Sequence, residues 1–360
     1  MEAPFSSPLR APIKSPLHQL VCQVKIADMP FDAAVYHPGR NSIFAVRGGR
    51  IFECDAGSGA ILGLADFNVY GFSPSCICYD AANDRLWASC WNQDHGDALI
   101  AGNKRWFARI NPATLVVETL VDIGMIWVDS GFRQSGVTDA FVVNGYVVFV
   151  GWCLSFMSAQ INCGMFSTTS PGALFASQSG FNMSSLIDRV SFAFDPGAGR
   201  LWMGFATGAV PGGGNGLIWP VDVTFGGSPS MAVNIPYVTA PPNTTFVSEQ
   251  YGMAFNTATG KIYMSFYSGG IERFSSGMVR EAVLLAHGDP YKAALNVRYN
   301  ATTNKVYAAC VGGQSVAVID CGAGDAVTVK TGFDLPFNIV CTPTKTFAVQ
   351  QGGVGLKEIV

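Results

Sequence analysis

The stretch Ala193 to Gly204, AFDPGAGRLWMG, decides how the rest of the chain reads. Ala193 and Phe194 end one strand, Asp195-Pro196-Gly197 reverses the chain, and Arg200 leads into the apolar and aromatic residues of the next strand. Asp caps turn amides with its side chain, Pro presets φ, and Gly admits φ > 0. The same grammar recurs as VYHPGRNSIFAV (Val35 to Val46), CYDAANDRLWAS (Cys78 to Ser89), AFNTATGKIYMS (Ala254 to Ser265) and RYNATTNKVYAA (Arg298 to Ala309). Weaker copies are FVVNGYVVFVG (Phe141 to Gly151) and VCTPTKTFAVQ (Val340 to Gln351). Seven hairpins make a repeat protein, in which each unit packs on its neighbours and the array counts as one domain.

Composition narrows the class. Hydrophobic residues are 49% and charged ones 13%, with 41 Gly among 360 residues. That is too apolar for disorder and too rich in Gly and β-branched residues for a helical bundle. No run of 18 uninterrupted apolar residues occurs, so no membrane span is expected. The net charge is −3 and Lys and Arg are scattered, which argues against nucleic-acid binding. The N-terminus lacks an apolar core of the secretory-signal type, so the ten cysteines are expected to be reduced. Cys22, Cys78, Cys310 and Cys341 sit in apolar strand patterns, and Cys76 and Cys78 would share one strand face.

Residues 1–17 form a separate segment, SPLR-APIK-SPLH, a four-residue repeat of small, proline, aliphatic and basic residues. Pro8, Pro12 and Pro16 forbid helix and favour an extended, polyproline-like path. The segment is either a loose terminus or a docking arm. In the arm, Leu9, Ile13 and Leu17 would fill pockets on a partner while Arg10 and Lys14 met its acidic rim. The regular aliphatic favours the arm, whose stiffness lowers the entropy cost of docking.

The strand LVCQVKI (Leu20 to Ile26) has no hairpin partner nearby, while Phe337 to Val360 supplies about three strands. The N-terminal strand is therefore expected to complete the last unit and close a ring, removing open sheet edges. The hairpin aromatic positions fall at Tyr36, Tyr79, Val142, Phe194, Phe255, Tyr299 and Cys341, spaced by roughly 42 to 63 residues against the roughly 40 to 50 of a four-stranded unit. The surplus is expected in insertions at Asn92–Arg105, Phe156–Gly180, Ala206–Gly216 and Pro236–Thr245.

This hairpin grammar resembles the blades of seven-bladed β-propellers of the broad YVTN or NHL-like class, over nearly everything after residue 18. The resemblance implies an all-β propeller of four-stranded antiparallel blades. The Ser-Pro-Leu/Ile arm is similar to short N-terminal segments of tailed-bacteriophage virion proteins.

Catalytic groups of propeller enzymes lie on the inner strands, here just before each hairpin aromatic. Candidates are Asp32, Ser75, Asp139, Asp188, Glu249, Asn296 and Asn338. Lactonase-like propellers hold a divalent cation there, and Asp32, Glu249, Asn296 and Asn338 supply hard oxygen donors of the kind Ca²⁺ takes. The competing reading is that strand-start Asp and Asn residues satisfy turn amides. The four histidines (His18, His37, His95, His287) all read as loop or turn residues, so a histidine acid–base pair is not supported. Gly212 to Gly216 lacks the Lys-Ser/Thr and helix of a phosphate loop. Trp91, Trp106, Trp127, Trp152 and Phe156 near the insertions suit either blade seams or a protein- or glycan-binding rim.

The expectation is a non-enzymatic structural or binding module: a virion protein anchored through residues 1–17 to other virion proteins, its propeller presented to a host-surface receptor or glycan. No cofactor is needed for it. The alternatives are a metal-dependent propeller hydrolase and a cytoplasmic peptide-binding scaffold.

Overall fold

The computed structural model describes residues 33–70, 72–92, 105–123, 132–155, 159–171, 174–176, 187–207, 217–226, 228–233, 238–239, 250–266, 270–286, 294–351 and 355–360. Seven antiparallel sheets follow one another along the chain and form a seven-bladed β-propeller. Blade 1 holds β1 (Ala33–His37), β2 (Ser42–Arg47), β3 (Arg50–Asp55) and β4 (Ile61–Asp66). Blade 2 holds β5 (Phe72–Asp80), β6 (Arg85–Asn92), β7 (Arg105–Ile110) and β8 (Val117–Asp122). Blade 3 holds β9 (Phe132–Val143), β10 (Tyr146–Ser155), β11 (Ala159–Ser167) and β12 (Leu174–Ala176). Blade 4 holds β13 (Ile187–Asp195), β14 (Arg200–Thr207), β15 (Leu217–Thr224) and β16 (Ser230–Val233), with β17 (Val238–Thr239) also paired to β15.

Blade 5 holds β18 (Gln250–Asn256), β19 (Lys261–Phe266), β20 (Ile271–Ser275) and β21 (Arg280–Leu285). Blade 6 holds β22 (Ala294–Asn300), β23 (Lys305–Cys310), β24 (Ser315–Asp320) and β25 (Ala326–Thr331). Blade 7 holds β26 (Pro336–Cys341), β27 (Thr346–Gln350) and β28 (Leu356–Glu358). The strand expected at Leu20–Ile26 lies outside the described residues, as does the whole arm.

The hairpin grammar has a physical reading at each position. The Asp or Asn after the aromatic accepts turn amides two and three residues on. Asp195 Oδ1 takes the N–H groups of Gly197 (2.9 Å) and Ala198 (3.1 Å), and Asn256 and Asn300 do the same in their turns. The residue before the basic one turns left-handed. It is Gly199 (φ 60) or Gly260 (φ 67) where Gly is present, and Asp84 or Asn304 elsewhere; in blade 1 the left-handed residue is Asn41, which follows Arg40. Asn and Asp tolerate that region better than other side chains. Tyrosine at the aromatic position ties its hydroxyl back to that residue, as Tyr79 does to Asp84 Oδ1 (3.1 Å) and Tyr299 to Asn304 Oδ1 (3.1 Å). The basic residue reaches a carboxylate on an outer strand: Arg85 to Glu118, Arg200 to Asp222, Lys261 to Glu281, Lys305 to Asp320 and Lys345 to Glu358.

The apolar core is divided among the seven seams between blades. Trp87 and Phe107 of blade 2 meet Phe149 and Phe166 of blade 3, with ring centroids 5.1 to 5.4 Å apart in edge or tilted geometry. Trp202 of blade 4 packs with Met253 and Met264 of blade 5. The last seam sets Val340, Val349 and Leu356 of blade 7 against Ile43, Ala45 and Phe52 of blade 1, so apolar packing closes the ring. Successive inner strands also pack on each other all the way round, β26 returning to β1.

Polar latches add to these seams. His37 Nδ1 accepts the Arg40 amide, which leaves Nε2 to donate to Asp84 Oδ1 of blade 2 at 2.7 Å. Asn83 of blade 2 donates to Thr168 beyond β11 (3.0 Å), and Asn300 of blade 6 donates to Thr342 O and Thr346 Oγ1 of blade 7 (3.2 Å each). Between blades 5 and 6, Tyr263 donates to Asp325 Oδ1 at 2.7 Å and Arg273 pairs with the same carboxylate.

Three sequence expectations need correction. Phe156–Gly180 is not an insertion throughout: it contains β11 and β12, whose Cys163, Met165 and Phe166 are fully buried. Its Gly, Ser and Thr content concealed two strands, which lie outside the hairpin turns that mark the inner strand pair of each blade. Pro236–Thr245 contains the short strand β17. His37 is not a solvated turn residue; it ends the inner strand β1 and is 2% exposed, held by the two hydrogen bonds above.

Candidate functional site

The seven inner strands (β1, β5, β9, β13, β18, β22 and β26) surround an axial cavity of about 530 Å³. Six of them carry an extra residue against their hairpin partner: Ser75 in β5, Arg133 and Thr138 in β9, one residue between Ile187 and Val190 in β13, Tyr251 in β18, Leu295 in β22 and Phe337 in β26. Such bulges re-aim the side chains around them. The residue three before each hairpin aromatic position lines the cavity in every blade: Ala33, Cys76, Asp139, Ser191, Gly252, Asn296 and Asn338.

Arg298, directly before Tyr299, also lines the cavity and forms an ion pair with Asp139 across the ring, from blade 6 to blade 3. Asp139 Oδ1 additionally accepts the Ala140 amide at 2.9 Å. Asn338 Oδ1 accepts the Ile339 amide at 2.8 Å. Asn296 is 5% exposed, and its Oδ1 is buried with no hydrogen-bond partner among the described residues. Ser75 Oγ and Ser89 Oγ lie 2.6 Å apart, and Ser75 also reaches Val137 O of blade 3 (3.3 Å). In blade 5, Ser265 Oγ bridges in the same way to Ala294 O of blade 6 (2.6 Å). Phe141, Phe337, Tyr36 and Tyr79 supply aromatic surface to the lining.

Ser75, Asp139, Asn296 and Asn338 of the candidate set therefore converge on one cavity. Asp188 lies at the start of β13, and Asp32 and Glu249 lie outside the described residues. Two amides fall short of the six to eight oxygens Ca²⁺ takes, and among the described residues no group of three or more His, Cys, Asp or Glu is placed to share a metal. Burial pushes the Cys76 thiol up to about 12 and the Cys78 thiol well above its ordinary value. Both are thus protonated at neutral pH and unsuited to nucleophilic attack. The eight described cysteines form no disulfide.

Three lining groups escaped the sequence reading. Ser191 and Arg298 were recoverable from register, Ser191 by its distance from Phe194, Arg298 as the lone charge in a column otherwise held by Val35, Cys78, Phe141, Ala193, Ala254 and Val340. Gln351, just past β27, carried no signal. Of the tryptophans near the insertions, Trp106 packs against the seam of blades 1 and 2. The side chains of Trp91 and Trp152 and the placement of Trp127 and Phe156 lie outside the described residues. The described strand ends flanking two insertions, Asn92 with Arg105 and Thr207 with Leu217, lie at the bulge rim, since Asn92 pairs with Phe72 and Thr207 with Ile187 at the inner-strand starts.

No family model matches the chain, and no curated protein matches it. Among solved structures it is similar to a chain of Kuenenia stuttgartiensis hydrazine synthase, at 12% identity and a TM-score of 0.62 over 94% of this chain and 97% of that one. At that identity the likeness concerns the fold.

Proposed function

We propose that this propeller is a non-catalytic binding module of a larger assembly, held there by residues 1–17 and presenting its bulge rim to a ligand. The observation that carries the reading is the four-residue repeat of the arm, with an aliphatic and a basic residue at each period before His18. It is supported by the cavity electrostatics. The one carboxylate among the described lining residues, Asp139, is paired with Arg298, which leaves no isolated acid or base among them. In its finer form the assembly is a tailed-phage virion, the arm docking on other virion proteins and the propeller facing outward. The resemblance of the arm supports that form. A YVTN- or NHL-like subclass rests on the hairpin grammar alone.

The test is co-purification of the full-length chain, and of a variant lacking residues 1–17, with the native particle. Only the full-length chain is expected in the large assembly. Equal behaviour of both as the same free monomer would refute the anchoring role. A second reading, a Ca²⁺-dependent hydrolase using Asp32, Glu249, Asn296 and Asn338, draws on the convergence of the two asparagines. Elemental analysis without stoichiometric Ca²⁺, with a melting temperature indifferent to chelator, removes it.

A further inference from the structure

Asn296, which lines the axial cavity, carries a polar acceptor that no described residue uses. Asn296 is 5% exposed on the cavity wall, and its Oδ1 has no hydrogen-bond partner among the described residues. A buried acceptor left unsatisfied costs about 1–3 kcal/mol, so its persistence calls for a donor brought in from outside. The charge pattern limits what that donor belongs to. Asp139 and Arg298 are the charged residues among the described lining, and they neutralise each other. An ionic ligand would have to break that pair; a neutral one finds both groups in place.

A carboxylate offers about four lone-pair positions, and the Ala140 amide and Arg298 leave Asp139 with acceptor capacity for hydroxyl groups. Ser75, Ser191 and Asn338 add further polar contacts on the same wall, and Phe337 and Phe141 add aromatic surface. The volume of about 530 Å³ falls inside the roughly 300 to 1,000 Å³ of small-molecule sites. Hydroxyl donors and acceptors around a compact ring with apolar C–H faces match such a wall.

We propose that the cavity binds a neutral sugar, the terminal monosaccharide or disaccharide of a glycan, with Asn296 Oδ1 and Asp139 accepting its hydroxyl protons. This names the ligand of the binding-module reading and rests on it, but not on the arm. The arm-deleted chain is expected to bind sugar as the full chain does, so the two ideas fail separately.

The experiment is calorimetric titration of the full chain with glucose, galactose, mannose, N-acetylglucosamine and lactose, and with N-acetylneuraminic acid as the anionic member. Saturable binding of at least one neutral sugar, not of the acid, is expected. Asn296→Ala should weaken it about tenfold without lowering the melting temperature, because its Oδ1 bonds to none of the described residues. Absence of saturable binding to every neutral sugar at millimolar concentration would overturn the proposal. So would stronger binding of the acid, or unchanged affinity in Asn296→Ala.

Discussion

Replacing Asp325 by Gly tests whether the polar latches between blades carry stability. Asp325 stands at φ 64, and Gly takes that conformation without strain, so the substitution removes the carboxylate and little else. In the native protein Tyr263, 1% exposed, donates to Asp325 Oδ1 at 2.7 Å across the seam of blades 5 and 6, and Arg273 pairs with the same group. Tyr263→Phe loses one hydrogen bond to a charged acceptor, about 1.5 kcal/mol. Asp325→Gly strands the tyrosine hydroxyl in a dry site, which costs about 1–3 kcal/mol. It also loses an ion pair whose Arg273 side is 27% exposed, a term of about 0.5 kcal/mol, and the added backbone freedom costs about 0.5–1 kcal/mol.

The singles are then expected near 1.5 and 3 kcal/mol, and the double variant near 1.5 rather than 4.5, because phenylalanine leaves no hydroxyl to strand, a coupling of about 3 kcal/mol. Urea unfolding followed by circular dichroism gives these values from midpoint and slope, an unchanged slope confirming that the same surface is exposed. Additive singles, with coupling below about 0.3 kcal/mol, would refute the latch and leave seam stability to apolar packing.

Gly252→Ala would place a methyl carbon 2.7 Å from Ser265 Oγ and 3.0 Å from the Val297 backbone nitrogen, prying blade 5 from blade 6. A loss of about 1–3 kcal/mol in urea unfolding is expected, whereas Gly57→Ala, whose new carbon meets only Asp55 Oδ1 at 3.4 Å, should change little. Burial first, then the hydrogen bond to Asp84, raises the Tyr79 hydroxyl to about 12, and burial, Cys321 and Asp325 raise Tyr263 further. Because both folded values lie above the unfolded value of about 10, their contribution is complete below pH 10 and is lost as pH rises toward 12. The melting temperature should fall over that window, and Tyr79→Phe should flatten the fall. Cys54, Cys76, Cys78, Cys90, Cys163 and Cys310 are buried, and burial raises the thiols of the first four. Iodoacetamide at pH 8 should leave all six unlabelled in the native protein and label them in urea, as peptide mass spectrometry would read.

The hairpin grammar alone determined the strand pairs and the number of blades. Turn chemistry is local: an Asx side chain, a left-handed residue and a cross-strand ion pair leave their mark within a dozen consecutive residues such as Ala193–Gly204. The inner-strand position of Asp139, Asn296 and Asn338 was legible for the same reason, three residues before each hairpin aromatic position, with Ser75 one residue further back. The outer strands β11 and β12 were not, because they lie outside the hairpin turns that carry the grammar, even though β11 buries Cys163, Met165 and Phe166. Whether His37 is solvated, which blade seams hold the tryptophans, and that Arg298 answers Asp139 were decided only by tertiary structure. Residues 159 positions apart become partners through ring closure, and no local pattern encodes which blades face each other across an axis. Asn296 follows the same logic: sequence placed it on an inner strand, but only the packed ring left its Oδ1 buried without a partner among the described residues.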